Sequence, residues 1–223
     1  MLVQIYGITT AEDAEAVDGL GPDHIGVVLD EGIETWDSVD EATARAIAAK
    51  VRSARLVALS LSTDPARICR TADLLQPGIV HLAQAAEGMS PQAVARLRRH
   101  LAPVQVMVTI PVRTATDREV ARRFEQSADY LLLDTAHPTT GVVGATGVTH
   151  DWSLSAAIAA SVDAPVMLAG GLGPDNVLEA IRRVRPDGVD SETRTSRPDD
   201  RRRKDVDKVR SFIELARLVS PPA

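Results

Sequence analysis

The run Leu131-Leu132-Leu133 ends in the carboxylate of Asp134. An acid at the end of a buried strand stands between core and solvent. Lost hydration there can lift its pKa into the working range of a general acid or base. Further along comes the turn Gly144-Ala145-Thr146-Gly147, whose glycines let backbone N–H groups approach an anion closely. A second turn, Gly170-Gly171, closes another apolar run and leads through Gly173-Pro174-Asp175-Asn176 into a helical pattern. A helix N-terminus reached this way suits a phosphate. One acid near two anion cradles points to an enzyme acting on a small phosphorylated molecule.

Other groups with chemistry lie at the ends of the remaining apolar runs. Tyr6 ends the first of them. With an ordinary pKa of about 10 it is a poor base at neutral pH, and it suits a hydrogen-bond donor or a space-filling ring. His81, inside the fourth run, is either a catalytic base or a satisfied histidine at the core edge, and His24, opening the second, reads as structural. Asp30, Glu31, Asp190 and Glu192 also cluster at strand ends. Acids and a histidine can hold a divalent metal. No tight motif such as H-x-x-x-H joins them, so no metal and no cofactor is expected. Residues 191–204 carry Arg194, Arg197, Arg201, Arg202 and Arg203. They read as a mobile surface loop or as an anion-binding loop over the site, with Arg194 the candidate substrate contact. Cys69 is the single cysteine, so no intrachain disulfide can form, which fits a reducing cytoplasm.

These residues need a frame that brings strand ends together. Candidate strands are 2–6, 24–29, 55–61, 78–82, 104–110, 129–134, 165–169 and 187–190. Most are unbroken runs of Val, Ile and Leu, as in parallel strands covered on both faces. Between them, Val94, Leu97 and Leu101 share one helical face, as do Val177, Ile181 and Val184. Eight strands alternating with helices predict a closed (β/α)8 TIM barrel of α/β class, read as one domain over 1–223, with a doubly wound open sheet as the alternative. Barrel active sites are built at the C-terminal ends of the strands, where the acids and glycine turns fall.

Composition narrows the partners. A net charge of −6 and an aromatic content of 3% argue against nucleic acid, which favours basic and stacking surfaces. No apolar run approaches the roughly 20 residues of a membrane span. A small metabolite is the expected partner, handled by a monomer or homodimer.

The motifs together resemble the phosphoribosylanthranilate isomerase family of tryptophan biosynthesis. The resemblance rests on Gly7-Ile8-Thr9 with Glu12-Asp13-Ala14, on Leu131 to Asp134 with Gly144 to Gly147 and Asp151-Trp152, and on Leu168 to Leu172 with Asn176-Val177. Gly188-Val189-Asp190 and Lys204-Asp205 through Phe212-Ile213 extend it towards the C-terminus. It implies a (β/α)8 barrel and an Amadori rearrangement in which Asp134 is the general acid. The family's base, a cysteine in a Lys-x-Cys-Gly pattern, corresponds to Tyr6 in Gln4-Ile5-Tyr6-Gly7. The family's arginine after the second strand has no counterpart from Asp30 to Asp40, and its fourth-strand glutamine corresponds to His81. Its strand 8 Ser-Ser-Gly is replaced around Glu192-Thr193-Arg194.

The leading expectation is a divergent member acting on a small phosphorylated metabolite, with Asp134 as general acid/base and Gly144, Ala145, Thr146, Gly147, Gly170, Gly171 and Arg194 binding it. One alternative is phosphoribosylanthranilate isomerase itself, with Tyr6 or His81 as substitute base. The other is a silent barrel that binds a metabolite or protein.

Overall fold

The computed structural model describes residues 1–29, 32, 35–135 and 149–219. The strands are β1 (Leu2–Ile5), β2 (His24–Leu29), β3 (Ser38–Val39), β4 (Arg55–Ser60), β5 (Ile79–Leu82), β6 (Gln105–Val112), β7 (Tyr130–Thr135), β8 (Val166–Leu168) and β9 (Gly188–Ser191). All pair in parallel, and β1 bonds to both β2 and β9, which closes the barrel. Eight of these are the expected strands, each within two residues of its expected ends. The short β3 is an appendage on β2, pairing Val28 with Ser38 and Leu29 with Val39. Two residues are too few to show any period, so no pattern announces this strand.

Helices α1 (Ala11–Asp18), α2 (Glu41–Ala48), α3 (Pro65–Leu75), α4 (Ala85–Gly88), α5 (Pro91–Leu101), α6 (Asp117–Phe124), α7 (Trp152–Ala159), α8 (Val177–Val184) and α9 (Val206–Arg217) fill the crossovers. Many start on a side chain that accepts from the first turn: Thr10, Asp40, Asp64, Ser90, Asp151 and Asp205. Such caps satisfy N–H groups that the helix itself leaves open. Pro65 and Pro91 fix the first helical residue of α3 and α5.

Strand side chains alternate between two layers. Val3, Ile5, Ile25, Val27, Val106, Val108, Leu131, Leu133 and Leu168 point outward and pack with the helices in one large apolar cluster. The residues between them point into the lumen. There Tyr6, Val57, Ile79, Met107, Leu132, Met167 and Ala169 form a second, smaller cluster. The lumen has its own fit: a Cβ on Gly26 would overlap the Tyr6 ring. Glycine in mid-strand usually weakens a sheet, and here it makes room for a close neighbour.

Candidate active site

The lumen side of the barrel is also where its buried polar groups meet. His24 Nδ1 lies 3.1 Å from Gln4 Oε1, and Gln4 Nε2 donates to Asp190 Oδ1 at 3.1 Å. Tyr6 OH lies 2.8 Å from His81 Nδ1, and His81 Nε2 lies 2.6 Å from Thr109 Oγ1. These contacts join strands β1, β2, β5, β6 and β9, and the Tyr6–His81 pair in particular reaches across a lumen that exists because the sheet closes. Burial of polar groups is tolerated when each finds a partner.

Burial sets the protonation states. The His81 imidazole is pushed down to about 3 and that of His24 to about 4, chiefly by lost hydration. Both are neutral at pH 7. The Tyr6 phenol is raised well above its usual value by burial and then by the carboxyls of Asp190, Glu192 and Asp37. Tyr6 and His81, expected as substitute bases at the mouth, are instead a buried, neutral, hydrogen-bonded couple. Both imidazole nitrogens of His81 are engaged, and ionised Tyr6 would lie among three acids.

The carboxyls behave differently. Asp134, partly buried near the end of β7, is pushed up to about 6 by burial, against the pull of the Thr135 N–H at 2.7 Å. Asp190 is pushed up to about 8 by burial and then by Asp134, while the Gln4 hydrogen bond and the Lys204 cation oppose the rise. Glu192 is raised by burial and by Asp37, with which it shares a hydrogen bond. Lys204 is fully buried, and its Nζ donates to Glu192 O at 2.8 Å and Ser196 Oγ at 3.2 Å.

The glycine turn after β8 is left-handed at both of its first two glycines. Gly170 and Gly171 adopt φ of 85° and 63°, which side chains other than glycine rarely tolerate. Asn176 stitches the turn to α8: its amide donates to Gly171 O at 3.0 Å and its Oδ1 accepts from Gly173 N at 2.9 Å. Arg194 stands beside it, and its side chain would meet a Cβ on Gly173, while its guanidinium bonds Asp175 at 2.7 Å. The loop 191–204 therefore brings Arg194 to the turn after β8. Gly144, Ala145, Thr146, Gly147, Asp30 and Glu31 lie outside the described residues.

The arginine-rich loop is a strap rather than a free segment. The Arg203 guanidinium reaches Asp13 through bonds of 3.0 and 3.1 Å, and Lys204 N donates to the same carboxylate. Arg202 donates to the carbonyls of Trp36 and Ser38, and Arg201 stacks 4.5 Å above the Trp36 ring. The strap thus links β9 to α1 and to the segment that runs from β2 into β3. Gln4, Thr109, Asp37 and Lys204 were missed as candidates. The available signal was a polar residue at alternate positions of an apolar run, as at Gln4, His81 and Thr109.

The chain matches the family model described as N-(5'phosphoribosyl)anthranilate (PRA) isomerase over residues 3–215. It is 37% identical to N-(5'-phosphoribosyl)anthranilate isomerase of Haloferax volcanii, covering 96% of this chain and 92% of that protein. The phosphoribosyl anthranilate isomerase of Thermotoga maritima superposes with a TM-score of 0.80 at 29% identity, over 98% of this chain and all of that one. A phosphoribosyl anthranilate isomerase in complex with reduced 1-(o-carboxyphenylamino)-1-deoxyribulose 5-phosphate superposes with a TM-score of 0.77 at 27% identity, with the same coverage.

Proposed function

The chain belongs to the phosphoribosylanthranilate isomerase family and is an isomerase, and from that premise we propose that it carries out the family's own Amadori rearrangement, with Asp134 moving the proton. The ribose ring of N-(5'-phosphoribosyl)anthranilate opens, and a hydrogen passes from C2′ to C1′ to give the deoxyribulose phosphate. Asp134 carries this reading. It is an inward carboxyl near the C-terminal end of a barrel strand, and burial lifts it to about 6, close to the pH at which it must both give and take a proton. The turn at Gly170 and Gly171, backed by the N-terminus of α8, is the proposed phosphate cradle, with Arg194 at its side and Gly144 to Gly147 as a further contact. The partner is a small phosphorylated metabolite, and the chain acts as a monomer or homodimer in the cytoplasm, without nucleic acid or membrane.

The environment of Tyr6 favours a neutral hydrogen-bonding role over that of a base. Its hydroxyl fixes His81, and its ring fills the lumen beneath the site. The divergent reading rests on this residue: a ring where the family has a thiol reshapes the floor on which a substrate sits.

Purified protein is incubated with freshly prepared phosphoribosylanthranilate, and the loss of substrate fluorescence is followed. Turnover that Asp134→Asn reduces about 100- to 10,000-fold is expected. Absence of turnover by the unaltered protein overturns the reading. A thermal shift with other phosphorylated sugars would then favour a different substrate, and no shift with any would favour a silent barrel.

A further inference from the structure

The reaction moves protons at two places, the ring oxygen and C2′, and Tyr6 and His81 are poorly suited to either. A second carboxyl stands ready beside the first. The ladders pair Leu133 with Leu168 and Leu168 with Val189. One residue on in each strand, Asp134, Ala169 and Asp190 lie abreast. All three point inward by alternation, since Leu133, Leu168 and Val189 belong to the outer cluster. Strands two apart are separated by about 10 Å, so the two carboxyls flank a gap floored by the small side chain of Ala169. Asp190 is 7% exposed.

We propose that Asp190 is the second proton-transfer group of the isomerisation, working with Asp134 across Ala169. The inference rests on the isomerase reading above. The Gln4 amide prepares Asp190 for this role. It is held by His24 at its oxygen, so its NH2 faces Asp190. An amide supports a carboxyl without forcing it to ionise, as an adjacent cation would. The groups around Asp190 are Gln4 and Tyr6 from the first strand end, Asp134 from β7, Glu192 beyond its own strand and Lys204 from the strap. The pair shares one proton at neutral pH, because two neighbouring buried carboxyls resist ionising together, and its two titration steps belong to the pair.

The steps balance. The protonated carboxyl, Asp190, gives its proton to the ring oxygen as the C1′–O bond breaks, and the nitrogen lone pair forms C1′=N⁺. Ionised Asp134 takes the C2′ proton. The C2′–H electrons become C1′=C2′, and the C=N pair returns to nitrogen. The enol hydroxyl then gives its proton back to Asp190 as C2′=O forms, and Asp134 delivers its proton to C1′. Both carboxyls end as they began, and no oxidant or co-reactant is consumed.

The test is a pH profile of kcat/KM for the wild type, Asp190→Asn and Gln4→Lys. Asp190→Asn keeps the Gln4 hydrogen bond and removes the titrating group. It is expected to lower kcat about 100- to 10,000-fold with little change in KM, and to erase the alkaline limb. Gln4→Lys places a cation against Asp190 and is expected to move that limb to lower pH. Activity of Asp190→Asn within a few-fold of wild type overturns the proposal, as does an alkaline limb that Gln4→Lys leaves in place. Infrared titration of the protonated-carboxyl band gives a readout without substrate. A band lost near pH 8 in wild type and missing in Asp190→Asn is expected, and its absence from wild type overturns the proposal. If the wild type does not turn over phosphoribosylanthranilate, the isomerase reading fails and takes the transfer step with it, while the infrared result still decides whether Asp190 holds the proton.

Discussion

The outer shell of the barrel and its lumen are made by the same strands, one residue apart, and they follow different rules. Outside, Val, Ile and Leu from every barrel strand meet the helices in one continuous apolar cluster. Burial there is its own reward, at roughly 25 cal/mol per Å² of apolar surface removed from water. Inside, a smaller apolar cluster shares the space with Gln4, His24, His81, Thr109 and Asp190, each buried and each bonded to a partner. The shell tolerates any well-fitting apolar side chain. The lumen is conditional: its groups are satisfied only when the barrel is closed and in register. Stability is concentrated in the first and the proposed chemistry in the second.

Adjacent residues of β7 test that division. Asp134→Asn, in the lumen, is expected to remove about 3–5 kcal/mol of transition-state stabilisation, the equivalent of its expected rate loss, with the melting temperature nearly unchanged. If it unfolds the protein as much as it slows it, the division fails. Leu133→Ala, in the shell, is expected to cost about 2–5 kcal/mol of stability, measured by urea denaturation, while kcat per folded molecule stays the same. Gly26→Ala should cost about 1–3 kcal/mol by overpacking against Tyr6. Most of that cost should vanish in a Tyr6→Ala background, a coupling that a double-mutant cycle reads directly.

A further effect is a slope. Folding raises Asp190 from 3.8 to about 8, so between those values the folded state holds more proton than the unfolded chain. The stability this group contributes is complete below pH 3.8 and is lost as pH rises through about 8. The lumen histidines have the opposite sign: lowered to about 4 and about 3 from 6.5, they contribute above pH 6.5 and lose that contribution as acid is added. Asp190→Asn is therefore expected to gain on wild type between pH 5 and 8 in thermal melts. A difference that stays flat with pH would show that Asp190 is not held protonated.

The shell was legible in the sequence because its signal is local. Runs such as Val27-Val28-Leu29 and Leu131 to Leu133 declare a buried strand by themselves, and Ser90-Pro91 declares a helix start. The lumen was legible only in pieces. Asp134 was visible because it ends a run. The Tyr6–His81 pair joins residues 75 apart and Gln4–Asp190 residues 186 apart, and no pattern within either segment specifies its partner. The strap shows the same limit. Five arginines were plain, but that Arg203 would meet Asp13, 190 residues away, depends on the meeting of first and last strands.

Gly26 and Tyr6 also constrain the order in which this barrel can change. A ring at position 6 and a side chain at position 26 compete for one space, so neither position is free to change without regard to the other. A cysteine at position 6 would leave the volume of a ring empty beside Gly26, and refilling position 26 first would clash. A search by single substitutions at these two positions, on neighbouring strands, is expected to meet a less stable protein at each first step, through a void at one and a clash at the other.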